Sequence, residues 1–406
     1  MVRVGVVGCA HGQFDAIYAR VDKINEAAVR SGDAAPVELL LCCGDVQSLR
    51  NSADLGCEAC PRRYKHMNEF HEYYAGTKKA SVLTIVIGGN HEASNYFQEL
   101  HYGGWIAPNM FYLGAAGVVN VLGLRIAGLS GIYDPVDYKR GHYERAPYTK
   151  KSLYSVFHTR ESETSIELDN FGSRGGEALL HLLRPKHWFS GHMHVRFEAN
   201  IVHPEPTVDA PAQSTRFLAL DKCLPNRPWL ETVDIEPTRT AEPTDEDPRV
   251  LMDAEWLAIL RATHHAMSRS PNDLRLPMQR VPVEESDVMW VKNRLKEHKS
   301  GQRQVGEWPA SFQITAPSLS EENPDRSADG ELGNPQTDAL LKILDLPHVV
   351  TSPYRPEVLA SDDDSDSDNS VSNSEESDME DDSTTDDRKG DNDAFLEGLE
   401  LFSFKF

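Results

Sequence analysis

Four short segments of this chain set metal-binding residue types beside glycine. They are Gly8-Cys9-Ala10-His11-Gly12, Gly44-Asp45, Gly88-Gly89-Asn90-His91-Glu92 and Gly191-His192-Met193-His194. The donors are a thiolate, imidazoles, a carboxylate and an amide, a set that suits manganese, iron or zinc. Each segment directly follows an apolar run, at residues 2–7, 37–43, 82–87 and 187–190. In an open α/β sheet the carboxyl ends of the strands open on one crevice, so residues just past four strand ends can meet though far apart in sequence. Glycine at these places lets the backbone turn sharply and admits a phosphate. Read singly, each residue has a plainer explanation. Cys9 fits a small buried apolar side chain, Asp45 a helix cap, Asn90-His91 a turn, and the histidines of the last segment exposed positions. Together, in this order and each at a strand end, they describe a metal centre.

The elements that must carry these tips alternate. Phe14, Ile17, Tyr18, Val21 and Ile24 lie on one face of a helix predicted over 14–28, and further helices are expected at 64–74, 176–183, 250–265 and 337–346. Strands are expected at 118–122, 124–129 and 216–220 besides the four that end in the motifs. Strands alternating with helices predict an α/β fold with its sheets covered by helices. The polar, proline-rich stretch at 236–248 reads as a linker. From about Ser361 the chain is rich in serine, aspartate and glutamate, a composition that cannot bury enough apolar surface to order itself. Residues 394–406 are apolar again and read as a frayed end or a short docking segment.

Composition narrows the function classes. The 406 residues carry a net charge of −23, yet residues 361–387 alone hold 13 acidic side chains and no basic one, which leaves −10 elsewhere. The acidity is largely a property of the tail and does not argue against an anionic substrate for the folded part. No apolar run is long enough for a membrane helix, and the amino terminus reads as a first strand and not as a secretory signal. Six scattered cysteines suit a reducing, intracellular compartment better than a disulfide framework.

The order of the four motifs resembles the calcineurin-like metallophosphoesterases, whose first motif is usually Asp-x-His. Cysteine at that place, Cys9, points to one branch of that superfamily, the RNA lariat debranching enzymes. The stretches Leu41-Cys42-Cys43-Gly44-Asp45-Val46-Gln47, Tyr102-Gly103-Gly104-Trp105-Ile106-Ala107-Pro108-Asn109 and Thr215-Arg216-Phe217-Leu218-Ala219-Leu220-Asp221-Lys222-Cys223-Leu224-Pro225 are similar to that branch as well. The resemblance implies a β-sandwich flanked by helices over residues 1–235, with a lariat recognition loop at 129–160. It implies a smaller C-terminal domain over 249–350 and a disordered acidic tail over 351–406. It further implies hydrolysis of the 2′–5′ phosphodiester at the branch point of excised intron lariats, and hence a nuclear protein. Two divalent ions, Fe²⁺, Zn²⁺ or Mn²⁺, are implied, one on Cys9, His11, Asp45 and His194 and the other on Asp45, Asn90 and His192. Asp45 would bridge them, and His91 would be the general acid.

In one place the chain departs from that branch. The Ser-His-Asp-Trp-Pro motif that supplies a further metal histidine is absent, and several dozen residues are missing between the segment around His158 and the helix of His181. A central strand is expected to go with them. Weak binding of the second ion follows, and with it reduced turnover, or at the limit a protein that binds branched RNA without cleaving it. Between residues 133 and 160 aromatic and basic residues interleave, a pattern suited to stacking on splayed bases and contacting phosphates. Tyr133, Tyr138, Lys139, Arg140, His142, Tyr143 and Arg145 are the candidate RNA contacts. Cys57-x-x-Cys60 near His66 and His71 has poor spacing for zinc and reads as free thiols.

Overall fold

Alternate residues of the first strands face opposite ways, and both faces are apolar. Val4, Val6, Leu39, Leu41 and Ile85 join one core cluster, while Val7, Leu40, Cys42 and Val86 join another. A sheet apolar on both faces must be covered on both. In the computed structural model the strands are β1 Val2–Val7, β2 Leu39–Cys42, β3 Leu83–Val86, β4 Gly104–Ala107, β5 Met110–Tyr112, β6 Ala116–Val121 and β7 Leu124–Leu129, followed by β8 His187–Ser190, β9 Phe197–His203, β10 Gln213–Ala219, β11 Leu230–Ile235, β12 Leu251–Met252 and β13 Ser403–Lys405. The structure describes residues 1–32, 34–164, 173–203, 213–238, 249–272, 274, 281–298, 306–319, 333–355 and 403–405.

Six strands form one sheet in the order β11-β1-β2-β3-β5-β4, and seven form another in the order β12-β6-β7-β13-β8-β10-β9. The sheets face each other across the first core, where Val119, Ile126, Phe189 and Leu218 of the second sheet meet Val4, Leu41 and Ile85 of the first. The helix Phe14–Ser31 covers the outer face of the six-stranded sheet through Phe14, Ile17, Tyr18 and Val21. Leu180 of the helix Arg174–Leu183 covers Trp188 and Phe217 on the far side of the other sheet. The fold is thus an α/β sandwich flanked by helices. Helices Ala254–Thr263, Glu285–Glu297 and Pro335–Leu344 add Leu257, Leu295 and Leu340 to the inter-sheet core, so the C-terminal region is continuous with the sandwich.

Strands β1, β2, β3 and β5 run parallel, as do β8 and β10. The motif-bearing turns therefore leave the carboxyl ends of β1, β2, β3 and β8 toward one rim. The loop after β2 is braced by a buried ion network. Arg50 donates to both Asp54 oxygens at 2.9 and 3.1 Å and to Glu99 Oε1 at 2.9 Å, and lies 4.0 Å from the centroid of the Tyr96 ring. Replacing Arg50 by methionine leaves two carboxylates enclosed without their cation. We expect a loss of about 3–5 kcal/mol in chemical unfolding.

Several sequence expectations change, among them the helix expected over 250–265, whose start is the strand β12 and whose helix runs Ala254–Thr263. The helix expected over 64–74 breaks into a 3₁₀ turn at Arg62–Tyr64 and the helix Phe70–Tyr74, because Asn68 adopts φ 47° and spends its side chain on His11 O and Gln47 Oε1. The β4–β5 hairpin and the helix Glu285–Glu297 had no sequence signal strong enough to name them. The expected acidic tail falls largely outside the described residues, but Ser403–Lys405 is a strand. It lies between β7 and β8 and runs antiparallel to both, where a missing central strand was expected.

Candidate metal centre

The turn after β1 places Cys9 and His11, and the turn after β2 places Asp45. Asn90 and His91 come from the turn after β3, and His192 and His194 from the turn after β8. His11, Asp45, His192 and His194 all take left-handed backbone angles, with φ of 47°, 45°, 71° and 51°. Such angles are uncommon outside glycine and persist only where the surroundings impose them. The backbone makes the turns interlock: His11 N donates to Asp45 O at 2.6 Å, and Ala10 N to Gly44 O at 3.2 Å. Close approach also explains one glycine, since a Cβ on Gly89 would lie 2.1 Å from Asp45 Oδ1.

The side chains converge. The ligand atoms of Cys9, His11, Asp45 and His194 all lie within 4.8 Å of one another. His11 Nε2 is 3.2 Å from His194 Nε2 and 3.5 Å from Asp45 Oδ2. Cys9 Sγ accepts from His192 N at 2.9 Å. Asp45 Oδ1 accepts from the backbone N–H groups of Asn90 and His91 at 3.0 and 3.1 Å, but its Oδ2 is buried with no hydrogen-bond partner. Beside this group, Asn90 Oδ1 and His192 Nδ1 are 3.0 Å apart. His91 stands next to His11, their ring centroids 5.6 Å apart.

Electrostatics fits a cation. Burial pushes the Cys9 thiol well up, and Asp45 adds to the shift. Burial lowers His194 to about 4, helped by His11 and Lys222, and lowers His11 against the pull of Asp45. Both imidazoles are thus held neutral, with a lone pair available. A buried thiol, two neutral imidazoles and an orphaned carboxylate oxygen form a donor set that a divalent ion completes, and the ion would also favour the thiolate. The residues present fit such an ion on Cys9, His11, Asp45 and His194. For a second ion the chain offers Asp45, Asn90 and His192. His158, the nearest histidine in sequence to the missing segment, has its Nδ1 2.8 Å from Asp137 Oδ2.

Around the centre stand two residues to which the sequence reading assigned no role, Glu92 at the end of the third motif and Lys222 in the segment after β10. Glu92 is buried and accepts from the backbone N–H of Val46, Gln47 and Gly89 at 2.8, 3.0 and 2.8 Å, tying the second turn to the third. Lys222 sits close enough to depress both His11 and His194. Both lie in family-like segments, but only the fold shows what each one touches.

The candidate RNA contacts are spread more widely. Tyr138 and His142 are buried, His142 with its Nε2 2.9 Å from Glu163 Oε1, so both shape the loop from within. Arg140 pairs with Asp137 at 2.8 Å, Tyr143 Oη lies 3.2 Å from Ser155 Oγ, and Arg145 donates to His142 O at 3.0 Å. The Tyr133 ring packs 5.2 Å from that of Tyr138. Lys139, Lys150, Lys151 and Tyr154 are the exposed basic and aromatic residues of the loop. Cys57 and Cys60 make no disulfide among the described residues, Cys57 buried and Cys60 half-buried.

Comparison with known proteins matches the same two regions. Residues 2–196 fit the calcineurin-like phosphoesterase family, and residues 212–349 fit the C-terminal domain of the lariat debranching enzyme. Lariat debranching enzymes of Mus musculus and Homo sapiens are each 39% identical over 355 residues, covering 78% of this chain and 63% of theirs. That of Arabidopsis thaliana is 34% identical over 395 residues, covering 86% of this chain and 88% of its own length. The chain therefore spans under two thirds of the mammalian relatives. An alignment over 355 positions also exceeds what 78% of a 406-residue chain supplies, so those relatives carry aligned positions with no counterpart here. With the sandwich, its four motif-bearing turns and both family regions in place, the chain belongs to the lariat debranching enzyme family of calcineurin-like phosphoesterases.

Proposed function

We propose that this chain is a metal-dependent phosphodiesterase that hydrolyses the 2′–5′ bond at the branch point of excised intron lariat RNA, releasing linear RNA for turnover in the nucleus. The observation that carries the reading is the convergence of Cys9, His11, Asp45 and His194, with Asn90, His91 and His192 beside them. Divalent ions held there, iron, zinc or manganese given the thiolate donor, would supply an acidified water and charge stabilisation for in-line displacement.

The chain's own residues do the rest. Asp45 holds the third turn through its two backbone acceptances and keeps its second oxygen for a cation. His91 is the proton donor: as the water oxygen bonds to phosphorus and the P–O2′ bond breaks, the electron pair goes to the 2′-oxygen, which takes the proton from the imidazole. The proton lost by the water passes to solvent. Exposed Lys139, Lys150 and Lys151 suit phosphate contacts, and Tyr154 presents a face for stacking.

The test is cleavage of a synthetic 2′–5′ branched RNA with added Mn²⁺ or Fe²⁺. Release of the branch supports the reading; hydrolysis of simple phosphomonoesters with branched RNA untouched defeats it. Metal content is expected to be uneven. After desalting, mass spectrometry should find one tightly retained ion per chain, with the second recovered only on titration, because that side has just Asp45, Asn90 and His192. Two retained ions with full turnover would show that another residue replaces the missing histidine.

A further inference from the structure

Glu58 lies beside His91 and has no counterpart among the four motifs. Its side chain is 0% exposed, and its Oε1 is 4.0 Å from His91 Nδ1. The same oxygen accepts from Gln47 Nε2 at 2.5 Å. Gln47 in turn is anchored to the centre. Its backbone N–H donates to Glu92, and its Oε1 accepts from Asn68 Nδ2 at 2.9 Å, the amide that also reaches His11 O. The carboxylate is thus aimed by the turn that carries Asp45.

Two atoms here lack partners. Glu58 Oε2 and His91 Nδ1 are both buried, and neither makes a hydrogen bond. A buried acceptor and a buried ring nitrogen without partners are costly to keep, and they sit on side chains that already approach to 4.0 Å. Nδ1 stands 4.0 Å from Oε1 of that carboxylate, so a small movement of the imidazole would bring its N–H within reach. Hydrogen bonds at active sites are often long in the unliganded protein and tighten with substrate.

We propose that Glu58 is a positioning residue for His91: it accepts the Nδ1–H, which fixes the ring so that the opposite nitrogen faces the leaving 2′-oxygen. The inference rests on the reading of His91 as the proton donor. Glu58, Cys60 and His91 also have ligand atoms within 4.8 Å of one another, so a bound cation is the competing occupant of this pocket. Gln47 already spends one Glu58 oxygen, which favours the hydrogen-bonded dyad.

The experiment compares the whole chain with Glu58→Gln, Cys60→Ser and His91→Gln on two substrates. Branched RNA has a leaving alkoxide that needs a proton; bis(p-nitrophenyl) phosphate has a leaving group that does not. For Glu58→Gln, kcat on branched RNA should fall about 10–100-fold, the usual effect of losing an orienting partner, with KM, metal content and nitrophenyl turnover unchanged. An unchanged kcat, or an equal fall on both substrates, overturns the proposal. Loss of one ion per chain from both Glu58→Gln and Cys60→Ser overturns it in favour of a cation. If His91→Gln is as active as the wild type on branched RNA, the proton-donor reading itself fails. A fall with His91→Gln but none with Glu58→Gln sinks only the dyad.

Discussion

Replacing Asp45 by asparagine should cut turnover on branched RNA by roughly 10³-fold or more, since charge stabilisation worth several kcal/mol is lost and each 1.36 kcal/mol is a factor of ten. The change is almost isosteric. An asparagine carbonyl can still accept from the Asn90 and His91 backbone, so the third turn keeps its anchor. What disappears is the negative charge on the oxygen that now has no partner. The prediction is therefore specific: the variant folds, but its metal content drops together with its activity. Single-turnover assays paired with elemental analysis would check it. A variant that keeps its metal content and its rate would mean that Asp45 is only a structural acceptor.

His91→Gln is expected to fall by about 10²–10⁴-fold in kcat on branched RNA, the usual contribution of a positioned proton donor. The ring lies at the rim of the centre, in ring contact with His11, but its side chain is outside the cluster of Cys9, His11, Asp45 and His194. Metal content should therefore hold while the rate collapses, the opposite of the Asp45 pattern. A series of leaving groups separates the two: the poorer the leaving group, the larger the loss. A loss equal across the series would remove His91 from the proton-transfer step.

How much of this could be read beforehand differs from part to part. The strand tips were legible because each carries glycine and a strong donor immediately after an apolar run, a local pattern. The two-faced burial of β1 to β3 followed from their continuous apolar composition. Glu58 was not legible, because an isolated acid looks the same on any surface, and Glu92 and Lys222, though inside motif segments, showed no role there; what each does comes from distant backbone groups and charges. The helix over 64–74 misled for a related reason. Its apolar spacing is genuine, but Asn68 leaves the helix to hold His11 and Gln47 together, and that demand arises from tertiary structure. The loop over 129–160 was half legible: its composition suited RNA, yet Tyr138 and His142 turn inward, and only the fold could sort the exposed cations from the buried braces.

The strand Ser403–Lys405 bears on how the protein is made. A ribosome delivers it after every other described strand, yet its place is between two that were synthesised long before. The six-stranded sheet can close as soon as β11 emerges, whereas its companion must wait with β7 and β8 unjoined. During that interval a nascent chain exposes two raw edges, each able to accept the matching piece of a neighbouring polypeptide. Crowded polysomes would thus favour exchange between copies, and dilute, slow translation would favour self-completion.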